Sequence, residues 1–239
     1  MQGAILSALM VLAGQSNALG FGLSPAELPA DVRSIDSRVR IWTGARFEVM
    51  RPGINTGTPA NPAAWGPEVA FARAWRAAHP SERLYIVKSV KGSTGLAADP
   101  AALDWSPASR GELFDRTTQI VAAARAASGL TVSTILWMQG EEDATDDRRA
   151  AAYAANLREL IFAMRAAWGE AGTRIVVGRI ADGPPYAETV RAGEAMAAAK
   201  AHAVLVETEG LSRQGDRLHL DAAGEIALGA AFYRAAGAP

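Results

Sequence analysis

Residues 4–17 read Ala4-Ile5-Leu6-Ser7-Ala8-Leu9-Met10-Val11-Leu12-Ala13-Gly14-Gln15-Ser16-Asn17, ten apolar or small residues followed at once by a polar block that opens on glycine. A run this short does not span a bilayer, which takes about 20 apolar residues, and no basic residue precedes it as in an export signal. It suits a strand buried on both faces, as the inner strands of a parallel sheet are. The polar block then falls just beyond the strand's carboxyl end, where open α/β sheets bind their ligands.

Four more short apolar runs follow: Leu84-Tyr85-Ile86-Val87, Val132-Ser133-Thr134-Ile135-Leu136-Trp137, Arg174-Ile175-Val176-Val177-Gly178 and Ala203-Val204-Leu205-Val206. Helical stretches separate them. One opens at Pro67-Glu68, a proline at the first helical position with an acidic residue beside it, and ends at His79-Pro80; others are expected over Gly111 to Ala127, Asp147 to Trp168, Tyr186 to Ala199 and Asp221 to Ala235. This alternation predicts an α/β domain with a mostly parallel sheet covered on both faces. Residues 20–66 break the pattern with glycines and prolines around a short strand, Val39-Arg40-Ile41-Trp42. They read as a long loop insertion that walls the site, within a single domain over 1–239.

Composition narrows the partners. With 49% hydrophobic and 21% charged residues the chain can bury a core, and a formal net charge of -1 gives no electrostatic case for nucleic acid or an anionic membrane. A small-molecule or glycan substrate is expected, in the cytoplasm, with the oligomeric state left open. No cysteine is present, which excludes thiolate metal sites and cysteine nucleophiles. With three histidines and no His-Glu-x-x-His pattern, no metal is expected.

Four blocks follow the expected strands and carry reactive groups: Gly14-Gln15-Ser16-Asn17, Lys91-Gly92-Ser93-Thr94-Gly95, Gln139-Gly140-Glu141-Glu142-Asp143 and Gly215-Asp216-Arg217-Leu218-His219. A serine hydroxyl needs a base to take its proton as it attacks, and His219 is the best placed. Asp216, three residues earlier, can meet that imidazole from the same turn, fix its tautomer and stabilise the imidazolium. The backbone N–H groups of Ser16 and Gly92 and the side-chain amide of Gln139 are candidate donors to an oxyanion. Activity should then fall on the acid side as the imidazole takes up a proton.

At these blocks the sequence resembles the SGNH (GDSL-like) hydrolases, and within them carbohydrate esterase family 6 and the sialate O-acetylesterase-like group. Gly-Gln-Ser-Asn at 14–17, the glycine turn at 92–94, Gln-Gly-Glu at 139–141 and Asp-x-x-His at 216–219 carry the resemblance. Weaker similarities run through Gly66-Pro67-Glu68, Trp105 with Gly111-Glu112-Leu113-Phe114, and Val190-Arg191. It implies a three-layer α/β/α sandwich with a five-stranded, flavodoxin-like sheet, a triad of Ser16, Asp216 and His219, oxyanion donors at Ser16, Gly92 and Gln139, and removal of acetyl groups from sugars without a cofactor. Ser93 stands where that family often has a second glycine, and Gly193 where a glutamine often follows Val-Arg.

Plainer readings stand beside these. Ser16 at a strand-to-helix junction also fits a helix cap, and Asp216-x-x-His219 also fits a polar turn. Asn17 and Glu141 are expected to support the site; Glu142 and Asp143 are read as structural. Trp42, Trp65 and Trp105 are candidates to pack on a sugar, with core packing the equal alternative. The rival functions are an esterase or thioesterase for other acyl groups, and a non-catalytic carbohydrate-binding protein.

Overall fold

The computed structural model describes residues 7–33 and 36–237, so residues 4–6 of the expected first strand lie outside it. The elements run in the order β1 (Ser7–Gly14), α1 (Ser16–Leu19), β2 (Val39–Trp42), β3 (Phe47–Val49), α2 (Glu68–Ala78), β4 (Arg83–Val90), α3 (Leu113–Ser128), β5 (Val132–Met138), α4 (Asp147–Ala167), β6 (Arg174–Gly178), α5 (Ala187–Lys200), β7 (Val204–Val206) and α6 (Ala222–Ala236). They build one sheet in the order β3-β2-β4-β1-β5-β6-β7. All neighbours pair in parallel except β2 with β3.

The five expected strands form β4-β1-β5-β6-β7, the flavodoxin-like order, with the first in sequence second in the row. The sheet is nevertheless seven-stranded, because the 20–66 segment is not all loop. Val39 and Ile41 are buried while Arg40 and Trp42 are half-buried, the alternation of a strand with one face inward, and β2 pairs Val39 with Leu84 of β4. The chain then turns back through Gly44, at a left-handed φ of 93°, and the three residues of β3 close the edge. So short an edge strand offers little template for further pairing.

Successive β1 residues point to opposite faces, and each face has its own core. Leu9, Val11 and Ala13 pack with Ile135, Ile175 and Val177 beneath α3, α4 and α5. Met10 and Leu12 pack with Ile86, Leu136 and Val176 beneath α2 and α6. Full burial of a side chain such as Leu9 or Leu12 contributes about 1.5–3 kcal/mol. On the second face α2 and α6 approach so closely that a Cβ at Gly229 would stand 2.1 Å from the Pro67 carbonyl oxygen. These layers aim the carboxyl ends of β1, β4 and β5 and the segment before α6 at one rim.

Candidate active site

Ser16 owes its position to the way β1 ends. Gly14 sits at φ 139°, and a Cβ there would lie 2.0 Å from the Met138 carbonyl oxygen, so only glycine lets β1 turn this close to β5. Gln15 N–H donates to that same oxygen at 2.9 Å, and Ser16 opens the single turn of α1, which Gly20 closes in the left-handed region. Below the turn, the buried Lys88 ammonium donates to the Leu19 carbonyl at 2.9 Å and to Glu68 Oε1 at 2.8 Å. Among the described residues the Ser16 and Gly92 N–H groups have no protein acceptor, and a Cβ added to Gly92 would stand 3.9 Å from that of Ser16.

The segment before α6 folds back on itself: Gln214 N–H donates to the His219 carbonyl at 2.8 Å, and the Gln214 amide to the Phe21 and Leu220 carbonyls. This turn sets His219 Nδ1 2.7 Å from Asp216 Oδ2, while Asp216 Oδ1 accepts the Leu218 and His219 N–H groups at 2.9 and 3.0 Å. Partial burial alone would raise the Asp216 carboxyl, but the His219 ring and these two N–H donors outweigh it and lower its pKa to about 2. The Phe21 ring packs on the imidazole, centroids 4.7 Å apart. His219 Nε2 is left without a protein partner among the described residues.

Asn17 joins the serine turn to the histidine turn. Its buried amide donates to Glu141 Oε1 at 2.6 Å and to the Leu218 carbonyl at 3.3 Å, and its Oδ1 accepts Leu220 N–H at 3.0 Å. Leu218 and Leu220 flank His219. Burial raises the Glu141 carboxyl, opposed by its own backbone N–H and the Asn17 amide. Burial also pushes Glu225 well above the ordinary carboxylate value, with Glu68 and Glu141 adding to it and Lys88 opposing; among the described residues neither Glu225 oxygen has a partner.

Gln139 requires a correction. Its side chain is fully buried and its amide donates to the Thr94 carbonyl at 2.9 Å and to Asp143 Oδ2 at 2.6 Å, so both protons are committed and none faces Ser16. Gln139 instead fastens the turn that carries Gly92 and Ser93. The Asp143 carboxylate takes the Leu96 N–H and Ala97 N–H as well, and Thr94 Oγ1 donates to the Lys91 carbonyl at 2.7 Å.

Two clefts meet at Ser16, Ser93 and His219. One, of about 500 Å³, is walled by Leu19, Phe21, Pro59 and Val90 together with Thr58, Asn61 and Lys91; the other, of about 580 Å³, is the charged cleft, with Glu141, Glu142, Asp216 and Arg217 beside Thr145. The 20–66 segment thus contributes Thr58 to Asn61 as a wall. The expected tryptophans do not. Trp65 and Trp105 are fully buried, their indole N–H groups bonded to the Ser24 carbonyl and Thr94 Oγ1, and Trp42 packs edge-on against Phe47 on β2. Phe21, Asn17's tie to Leu220, and the Lys88–Glu68 pair were missed or underread. Only Lys88 left a signal, a charge directly after the apolar run of β4. Among the described residues no group of three or more His, Asp or Glu side chains is placed to hold a metal ion, and no helix is long and apolar enough to cross a membrane.

Comparison with solved structures finds the same fold in a protein from Arabidopsis thaliana, 24% identical over 96% of this chain and 97% of that one, with a TM-score of 0.81. NanS (16% identity, 87% of this chain and 78% of that one, TM-score 0.64) and a carbohydrate acetylesterase from Xanthomonas citri (18%, 96% and 54%, TM-score 0.65) are similar in fold. A comparison with curated proteins found no match. The family model described as carbohydrate esterase, sialic acid-specific acetylesterase, matches residues 7–237; the chain belongs to that family and is a carboxylic ester hydrolase.

Proposed function

We propose that the protein removes acetyl groups from acetylated carbohydrates through an acyl-enzyme on Ser16. The observation that carries this reading is the 2.7 Å contact of His219 Nδ1 with the Asp216 carboxylate, in a turn whose imidazole shares both clefts with Ser16. That contact leaves Nε2 to receive the Ser16 proton as Oγ attacks the ester carbonyl, and Asp216 stabilises the imidazolium. The Ser16 and Gly92 N–H groups take the oxyanion. Collapse breaks the ester C–O bond, and the sugar oxygen leaves with the proton from Nε2; water, deprotonated by the same nitrogen, then releases acetate.

The test is acetate release from p-nitrophenyl acetate and acetylated xylan by wild type and Ser16→Ala, with a chelator present. Ser16→Ala should lose nearly all turnover at unchanged stability; normal turnover by that variant would sink the assignment. The cleft walled by Leu19, Phe21 and Val90, about 500 Å³, is larger than acetate needs, which favours a second reading in which longer acyl esters or thioesters are substrates. A series of p-nitrophenyl esters of increasing chain length separates the two, since an acetyl-specific site loses kcat/KM beyond two carbons.

A further inference from the structure

Among the described residues three non-glycine positions have left-handed backbone: Ser93 at φ 55°, His202 at φ 52° and Arg217 at φ 60°. Such conformations are costly for L-residues, least so for Asn and Asp, and neither serine nor arginine is a natural occupant. His202 lies in the connection from α5 to β7, away from the clefts. Arg217 lines the charged cleft, and Ser93 stands with Ser16 and His219 where that cleft meets the other.

Each is held in place by its neighbours while its own side chain is left over. The Ser93 turn is fastened by Thr94 and Gln139, and Arg217 N–H closes a turn on the Gln214 carbonyl at 3.0 Å. Yet among the described residues neither the Ser93 hydroxyl nor the Arg217 guanidinium has a hydrogen-bond or ion-pair partner, whereas Arg149 is paired with Glu142 of the same cleft. Strain kept at a residue whose side chain serves no neighbour points to a ligand.

We infer that Ser93 and Arg217 are specificity-determining residues that grip the sugar leaving group in the charged cleft, through a hydroxyl and a guanidinium. The inference rests on the esterase reading. Glu142 and Thr145 line the same cleft, so it offers acceptors as well as donors, which suits a polyhydroxylated leaving group; the cleft walled by Leu19, Phe21 and Val90 then takes the acyl side.

The test compares kcat/KM on p-nitrophenyl acetate with that on acetylated xylo-oligosaccharide or O-acetylated sialic acid, whichever wild type cleaves faster. Ser93→Ala and Arg217→Ala, which keep the side-chain-bearing backbone, and Ser93→Gly and Arg217→Gly, which relieve it, should each lower the sugar-to-aryl ratio about tenfold or more, the worth of one hydrogen bond. The glycine variants should also unfold at no lower temperature than wild type. A ratio that stays put in the alanine variants refutes the inference whatever the stability, as does a wild type that cleaves the aryl ester and neither sugar. A wild type that cleaves no ester sinks the esterase reading itself.

Discussion

Replacing Asn17 with alanine isolates what holds the serine and histidine turns in register. The variant removes the donor to Glu141 Oε1, whose partner oxygen already has none, and leaves the buried Leu220 N–H without its acceptor. A hydrogen bond to a charged group is worth about 1.5–3 kcal/mol and a buried unpaired N–H costs about 1–3 kcal/mol. Glu141 relieves part of the loss by taking up a proton, since burial already favours its neutral form. The expected loss is about 2–4 kcal/mol by urea unfolding, a large share of a typical domain's stability. Because the lost bonds flank His219, kcat on p-nitrophenyl acetate should fall about 10²-fold. Asn17→Asp sets a second carboxylate against Glu141 and should be worse near neutral pH, recovering as the pH falls; N17D/E141Q restores a donor and acceptor and should recover part of the loss. If Asn17→Ala stays within about 0.5 kcal/mol of wild type with kcat intact, the bridge does not register the two turns.

Glu225→Gln tests the buried acid: its folded pKa lies above the unfolded value, so wild-type stability is full below the unfolded pKa and declines as pH rises toward the folded one. The thermal midpoint of the variant should therefore gain on wild type as pH rises above the ordinary carboxylate range, and a difference constant with pH would refute the shift. Asp216, at about 2, contributes stability that is present above the unfolded value and lost as pH falls through about 2, so it stays ionised through the working range. An acid limb of kcat/KM centred well above pH 2 then belongs to a group other than Asp216, and one centred near pH 2 would be Asp216 itself. Gln139→Ala should cost about 1–3 kcal/mol of stability along with its loss of kcat, because Asp143 and the Thr94 carbonyl lose a buried donor; a large loss of kcat at unchanged stability would restore Gln139 to the oxyanion.

The sequence carried the fold where one physical rule dominates. Runs such as Val132 to Trp137 are apolar because both faces of β5 are covered, and Pro67-Glu68 marks a helix start through backbone geometry and charge; both are local. Val39 to Trp42 shows as a short strand from its alternation, but the edge strand β3 has no local signal: its three residues pair only because the turn at Gly44 returns them to β2. The tryptophans show a different limit. An indole suits a sugar face or a core equally well by chemistry, and what decides is whether its N–H finds a buried acceptor, as Trp65 does 41 residues back at Ser24. Gln139 shows the same limit: its type marks an amide donor, but one of its two acceptors is the Thr94 carbonyl, 45 residues away, and spacing does not reveal it.

These cases share a logic that spacing cannot reveal. The reactive groups stand on four segments separated by as many as 203 residues, as the Asn17 contact with Leu220 illustrates, and each segment is short enough to drift. What fixes them is a layer of buried polar side chains beneath the clefts: Lys88 with Glu68 under the serine turn, Asn17 with Glu141 between serine and histidine, Gln139 with Asp143 under the Gly92 turn. Every one of these pairs carries a desolvation cost that an apolar pair would avoid. A sequence optimised for stability alone would lose them. Their presence is accounted for by position, since a directed hydrogen bond sets an orientation that packing of methyl groups leaves free, and the chemistry proposed for Ser16 requires its neighbours to be held to a fraction of an ångström.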